Sequence, residues 1–161
     1  MTHWKIAEKV IFQCGVTMKK NIVLDITIPN QTRYLGLVGK IGENMAREFD
    51  DTDCDRETLA NQLNIVLTES IVNAIKHANA TDPNKEVHVR INIHDRELSI
   101  RVYDTGCGFD INTIPNPSFE PDSLNEKGRG IFIIRSMMDS VVYRRTNGGN
   151  VLEMKKRIVQ N

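Results

Sequence analysis

The sequence has little of what marks exported, fibrous or membrane proteins. Its three cysteines, Cys14, Cys54 and Cys107, form no C-x-x-C pair and have no histidine cluster beside them, which excludes a disulfide scaffold and a thiolate metal site and points to reduced thiols. No apolar run is long enough to span a bilayer. Glu8 and Lys9 interrupt the stretch where a signal peptide needs an unbroken apolar core, so a cytoplasmic, non-exported protein is expected, with no membrane partner. Charge of one sign is missing as well. Twenty-one Lys plus Arg balance 21 Asp plus Glu, leaving no bulk positive field for direct contact with nucleic acid or anionic lipid, so recognition must be local. What is present is ordinary: 161 residues, 40% hydrophobic and 26% charged, which describes one globular domain with no room for a second catalytic module.

Residues 1–20 read as an N-terminal extension, and 21–161 as the domain. The β-branched run NIVLDITIP ends at a proline and reads as a strand over 21–29. Leu35, Val38, Ile41, Met45 and Phe49 recur at helical spacing and predict an amphipathic helix over 33–48. An acidic loop, DDTDCDRE, leads into a second helix over 56–79, with Leu59, Leu63, Val66, Leu67, Ala74 and Ala78 as its buried arc. Two alternating strands, 87–94 and 98–104, form a hairpin through Asp95, Arg96 and Glu97. A loop of unusual length, 105–127, precedes a helix that opens at Gly128, and strands over 141–146 and 150–159 are joined through Asn147, Gly148 and Gly149. The order implies an α+β two-layer sandwich, with helices on one face of a mostly antiparallel sheet.

Three segments carry chemistry. In ESIVNAIKHA, Glu69 and Asn73 stand four apart, about 40° around a helix, so they share a face that Lys76 extends at the edge of the core. Asn73 offers a neutral oxygen suited to Mg²⁺, which takes few protein ligands beside water and phosphate, and Glu69 offers a base one turn earlier. In DTGCGFD, Asp104 at a strand exit is an obligate acceptor able to read an exocyclic amine such as that of adenine, while Gly106 and Gly108 let the backbone approach a ligand. Cys107 within this loop reads as a small residue that fits, not a reactive thiol. Gly128, Arg129 and Gly130 open an apolar helix, where unpaired N–H groups and a guanidinium suit an anion. Alone, each pattern also suits something plainer: a solvated polar pair, a simple turn, a glycine cap.

Their order discriminates. E-x-x-x-N on a helix, D-x-G-x-G at a strand end, a long loop and G-x-G at a helix start together resemble the ATP-binding fold shared by histidine kinases, gyrase, Hsp90 and MutL, the Bergerat or histidine-kinase-like ATPase fold, over about residues 21–157. Within it, ESIVNAIKHA and GRGIFIIRSMMD resemble the serine/threonine kinases that act as anti-sigma factors in bacterial partner-switching systems. The resemblance implies ATP and Mg²⁺ as cofactors, with Asn73 on the metal, Asp104 on the adenine amine, and the glycines of both loops shaping the nucleotide pocket with Lys76 and Arg129. It further implies Glu69 as general base, a sigma factor and a small antagonist protein as partners, and a homodimer. One departure stands out: relatives often carry Gly-Thr on the last strand, where the Thr assists adenine recognition, and here Gly149 is followed by Asn150. Asn still hydrogen-bonds, so a weaker adenine contact is expected.

The leading function is transfer of the ATP γ-phosphoryl group to a Ser or Thr of the antagonist, alternating with capture of the sigma factor, with residues 110–127 as a lid over the nucleotide. An ATP-gated capture module without phosphotransfer is the alternative, and Glu69 favours the enzyme. The catalytic piece of a histidine kinase is disfavoured, since His3, His77, His88 and His94 lie in no phosphoacceptor context.

Overall fold

The computed structural model describes residues 21–48, 55–80, 82–113 and 128–158. The expected N-terminal extension, most of the acidic stretch after the first helix, and the expected lid from residue 114 onward lie outside the described residues.

Five strands form one antiparallel sheet in the order β1-β2-β3-β5-β4: β1 Ile22–Pro29, β2 Glu86–His94, β3 Glu97–Asp104, β4 Ser140–Thr146 and β5 Gly149–Arg157. Helices α1 (Leu35–Arg47), α2 (Arg56–Asn73) and α3 (Arg129–Met137) supply the second layer. Strand alternation sets the two faces. Val87, Val89, Ile91 and Ile93 of β2 and Leu98, Ile100 and Val102 of β3 are buried in the core with Leu59, Leu63, Val66, Leu67 and Ile71 of α2. The opposite face is polar and bound by ion pairs across strands: Arg90 donates to Asp25 at 2.7 and 3.0 Å, and Glu153 accepts from both Arg101 and Arg144. Helices on one side of an antiparallel sheet confirm the α+β sandwich.

Three local readings change. The β2–β3 turn contains two residues, not three: Asp95 and Arg96 both take left-handed φ, +48° and +65°, the turn geometry whose twist matches the flanking strands, and Glu97 already pairs with His94. In α1 the deeply buried positions are Val38, Gly39, Gly42, Glu43 and Ala46, while Leu35, Ile41 and Met45 lie at the margin of the core. Small residues bring α1 close to α2, and the buried Glu43 is satisfied by Lys40, Arg47 and by Asn64 of α2 at 2.9 Å. Hydrogen bonds from Lys40 and Asn64 lower its carboxyl pKa to about 2, so it stays an anion across the ordinary pH range.

The third change bears on the site. The second helix does not run to residue 79 as an α-helix; from Ala74 to Ala78 it widens into a π-turn, closed by Asn79 N–H donating to the Ala74 carbonyl at 2.8 Å. Asn79 is fully buried and ties four segments together. Its Nδ2 donates to Asn30 Oδ1, just past β1, and to the Glu86 carbonyl at the start of β2, while its Oδ1 accepts from Thr105 N–H just past β3. The wider turn is what lets the side chain reach all three. Replacing Asn79 by Ala strands these groups in the interior and is expected to cost roughly 2 kcal/mol in denaturant unfolding. A loss below about 0.5 kcal/mol would mean that water takes over the network.

Candidate functional site

Glu69 and Asn73 lie on the α-helical part of α2, and the wide turn begins one residue beyond them. Their α spacing therefore holds, and both face the start of α3. A Cβ built on Gly130 would come within 2.8 Å of Glu69 Oε2 and 3.4 Å of both polar atoms of the Asn73 amide, so glycine is what lets the α3 N-terminus rest against the pair. Gly128 caps α3 with φ +100°, a left-handed conformation, and its carbonyl accepts from Phe132 N–H at 2.9 Å. Lys76 lies exposed on the π-turn and Arg129 lies exposed at the first position of α3, so neither is packed against the other site residues.

Asp104 ends β3 on the helix-facing side and is 5% exposed. A buried carboxylate needs donors, and it has three. Oδ1 accepts from Gly106 N–H at 2.9 Å and from Asn150 Nδ2 at 2.7 Å, while Oδ2 accepts from the Tyr143 hydroxyl at 3.2 Å. The same Asn150 amide also donates to the Gly106 carbonyl at 3.0 Å. Asn150 thus works inside the protein, clasping Asp104 to the glycine turn. Gly108, at φ +74°, faces Asn150 Oδ1, where a Cβ would lie at 2.7 Å. Gly149 is needed for contact between strands: a Cβ there would fall 2.1 Å from the Asp104 carbonyl oxygen.

The Tyr143 and Phe109 rings stack at 4.2 Å between centroids. Burial, and then the adjacent Asp104 charge, hold the Tyr143 phenol well above its ordinary pKa, so it remains a donor to the carboxylate. Sequence inspection missed Tyr143 and Phe109 as parts of the site. The alternation of β4 does place Val141 and Tyr143 on one face, but their meeting with Asp104 depends on β5 lying between β3 and β4. Ser70, Asn73, Ala74, Asp104, Phe109 and Tyr143 are among the residues around a cavity of about 10 Å³ that joins the two halves of the site. A wider hollow of about 510 Å³, lined in part by His88, Tyr103, Thr105 and Gly148, shares only Asp104 with that cavity.

The donor set fits a hard cation and a phosphate. Asn73 Nδ2 is buried without a hydrogen-bond partner, and a flip of the amide puts its oxygen in that position. The Glu69 carboxylate lies against the same Gly130, and no cluster of three His, Cys, Asp or Glu suited to a metal occurs among the described residues. One amide oxygen beside phosphate and water is what Mg²⁺ accepts. Cys107 is exposed, with its carbonyl accepting from Arg145 at 3.2 Å. No helix among the described residues is long and apolar enough to cross a membrane.

Comparison with known proteins agrees with this fold. Residues 28–156 match the histidine kinase-like ATPase domain. The serine-protein kinase RsbW of Bacillus subtilis strain 168 is 27% identical over 149 residues, covering 86% of this chain and 88% of the relative. The protein of the same name from Bacillus velezensis is 27% identical over 143 residues, covering 83% and 84%, and that of Bacillus licheniformis strain ATCC 14580 is 29% identical over 129 residues, covering 73% and 75%. The match spans β2, β3 and β4, the last two residues of β1 and all but the last residue of β5, together with all three helices and every site residue named above. The chain belongs to the histidine kinase-like ATPase domain family, and its relatives there are serine-protein kinases of the RsbW type.

Proposed function

We propose that this protein is an ATP- and Mg²⁺-dependent serine/threonine protein kinase that phosphorylates a small antagonist protein and otherwise holds a sigma factor. The observation that carries the reading is the Glu69–Asn73 pair set against Gly130 at the α3 N-terminus, with the buried Asp104 carboxylate across the same small cavity. Phosphoryl transfer asks a protein for positioning and for charge neutralisation. In this reading Asp104 accepts from the adenine amine, and the N–H groups at the start of α3, freed by Gly128 and Gly130, receive phosphate oxygens with Arg129 beside them. Lys76 and the turn at Gly106 and Gly108 complete the surroundings of the nucleotide. Mg²⁺ held on Asn73 would supply charge neutralisation at the phosphates. Glu69, on the same helix face, takes the proton of the acceptor hydroxyl. The named activity of the relatives supports kinase chemistry; a cytoplasmic homodimer follows from the same reading.

Incubating the protein with γ-labelled ATP, Mg²⁺ and small antagonist-domain proteins encoded near it is expected to label a Ser or Thr of one of them. Binding of ATP and a partner without label transfer would identify a nucleotide-gated capture module, and absence of ATP binding would end both readings. Asn73→Ala is expected to make nucleotide affinity the same with and without Mg²⁺ in calorimetric titrations. A Mg²⁺ dependence as large as in the unaltered protein would place the metal elsewhere.

A further inference from the structure

We infer that Tyr143 and Phe109 are an internal stand-in for the base: their stacked rings fill the pocket beside Asp104, and nucleotide binds by displacing the Tyr143 hydroxyl from the carboxylate. The inference rests on the reading of Asp104 as the group that accepts from adenine.

Both Asp104 oxygens are already engaged within the chain. Oδ1 holds two donors from the glycine turn and Asn150, so the oxygen left for an incoming amine is Oδ2, the one that accepts from Tyr143. The cavity that Tyr143 and Phe109 line with Asn73 and Asp104 has about 10 Å³, hardly the space of one water molecule and far less than a purine. A base enters this cavity only where a ring leaves.

The two rings are placed so that they can leave. Tyr143 belongs to β4, an edge strand, which among the described residues pairs with β5 alone, and it is only half-buried. Phe109 directly follows Gly108, a glycine at φ +74° whose backbone is freer than that of any other residue type to change conformation. The rest of the pocket does not share this freedom, because Val102 and Leu152 lie on inner strands and Asn73 and Ala74 on the helix tied down through Asn79. A phenol on a carboxylate, backed by an aromatic ring, satisfies the same acceptor and covers the same apolar surface as an adenine amine and its ring. Apparent nucleotide affinity is then the intrinsic affinity reduced by the fraction of molecules in which the stack is open.

The test is calorimetric titration of ATP and ADP with Mg²⁺ into the unaltered protein and the variants Tyr143→Phe, Tyr143→Val and Asp104→Asn, with thermal unfolding of each free protein as the folding control. Tyr143→Phe keeps the ring and removes the competing donor, and is expected to tighten both nucleotides by roughly 2- to 10-fold, the factor of one ordinary intramolecular hydrogen bond. Tyr143→Val also removes the ring and should tighten them further. In protein labelled at the tyrosine ring carbons, ATP should move the resonance that is missing from Tyr143→Phe and leave that of Tyr34 in place. If the unaltered protein binds nucleotide, Asp104→Asn does not, and both Tyr143 variants bind equally or more weakly, the stand-in is overturned while the base-reading role of Asp104 survives; Tyr143 would then be a wall on which the base rests. Equal binding by Asp104→Asn, or no binding by any of the four, overturns the reading of Asp104 itself.

Discussion

Asp104→Asn is expected to weaken ATP binding by about 100-fold or more in a protein that remains folded, because a hydrogen bond to a charged acceptor is lost and a donor faces the adenine amine in its place. The surroundings fix which way the new amide points. Gly106 N–H and Asn150 Nδ2 both donate to the Oδ1 position, so the amide oxygen of the variant must stay there and its NH₂ must take the Oδ2 position. That is the position the Tyr143 hydroxyl occupies in the free protein, and a hydroxyl accepts as readily as it donates, so the fold tolerates the change. Adenine has no such choice at its exocyclic amine. Calorimetric titration beside thermal unfolding checks the prediction; a folded variant of unchanged affinity would remove Asp104 from the nucleotide pocket.

The second large effect is expected at Glu69. Glu69→Gln is nearly isosteric, and the Glu69 carboxylate makes no hydrogen bond or ion pair among the described residues, so neither stability nor ATP affinity should change. Phosphotransfer to the antagonist should fall by roughly 10²- to 10⁴-fold, the range for loss of a general base. Capture of the sigma factor should persist. The three readouts belong on one variant: joint loss of nucleotide binding and transfer would assign Glu69 to the metal surroundings or to the packing of α3, and unchanged transfer would release it from catalysis.

Most of the architecture was legible because its signals are local. The β2 and β3 strands alternate cleanly since only one face is covered, and E-x-x-x-N could be read on one helix face since Glu69 and Asn73 precede the π-turn. What could not be read depends on partners distant in the chain. The π-turn ends at an Asn79 bonded to Asn30, Glu86 and Thr105, and nothing in AIKHAN announces those contacts. The apolar spacing of α1 does mark its core side, but hydrophobic periodicity scores bulk and passed over Gly39 and Gly42, the small residues through which α1 meets α2. Asn150 was read only for a weakened adenine contact; that its Nδ2 also donates to Asp104 and to the Gly106 carbonyl could not be seen from the sequence. Tyr143 was invisible for a topological reason: β3 and β4 follow each other in the chain but do not pair, and only the insertion of β5 between them brings Tyr143 to Asp104.

The Asn150 clasp also constrains how this pocket can evolve. Asn150 holds Asp104 and Gly106 at once and stands where a side chain at position 108 would have to go. A Cβ at 108 becomes sterically admissible only after the side chain at 150 has shortened, and shortening it unties the carboxylate from the turn. Substitutions at 104, 108 and 150 should therefore be epistatic, each tolerated or ruinous according to the state of the other two. A lineage exchanging Asn150 for threonine gives up an amide that donates to Asp104 and to the Gly106 carbonyl together, for a single hydroxyl proton that can serve only one of them, and the mutational route is narrow at that step.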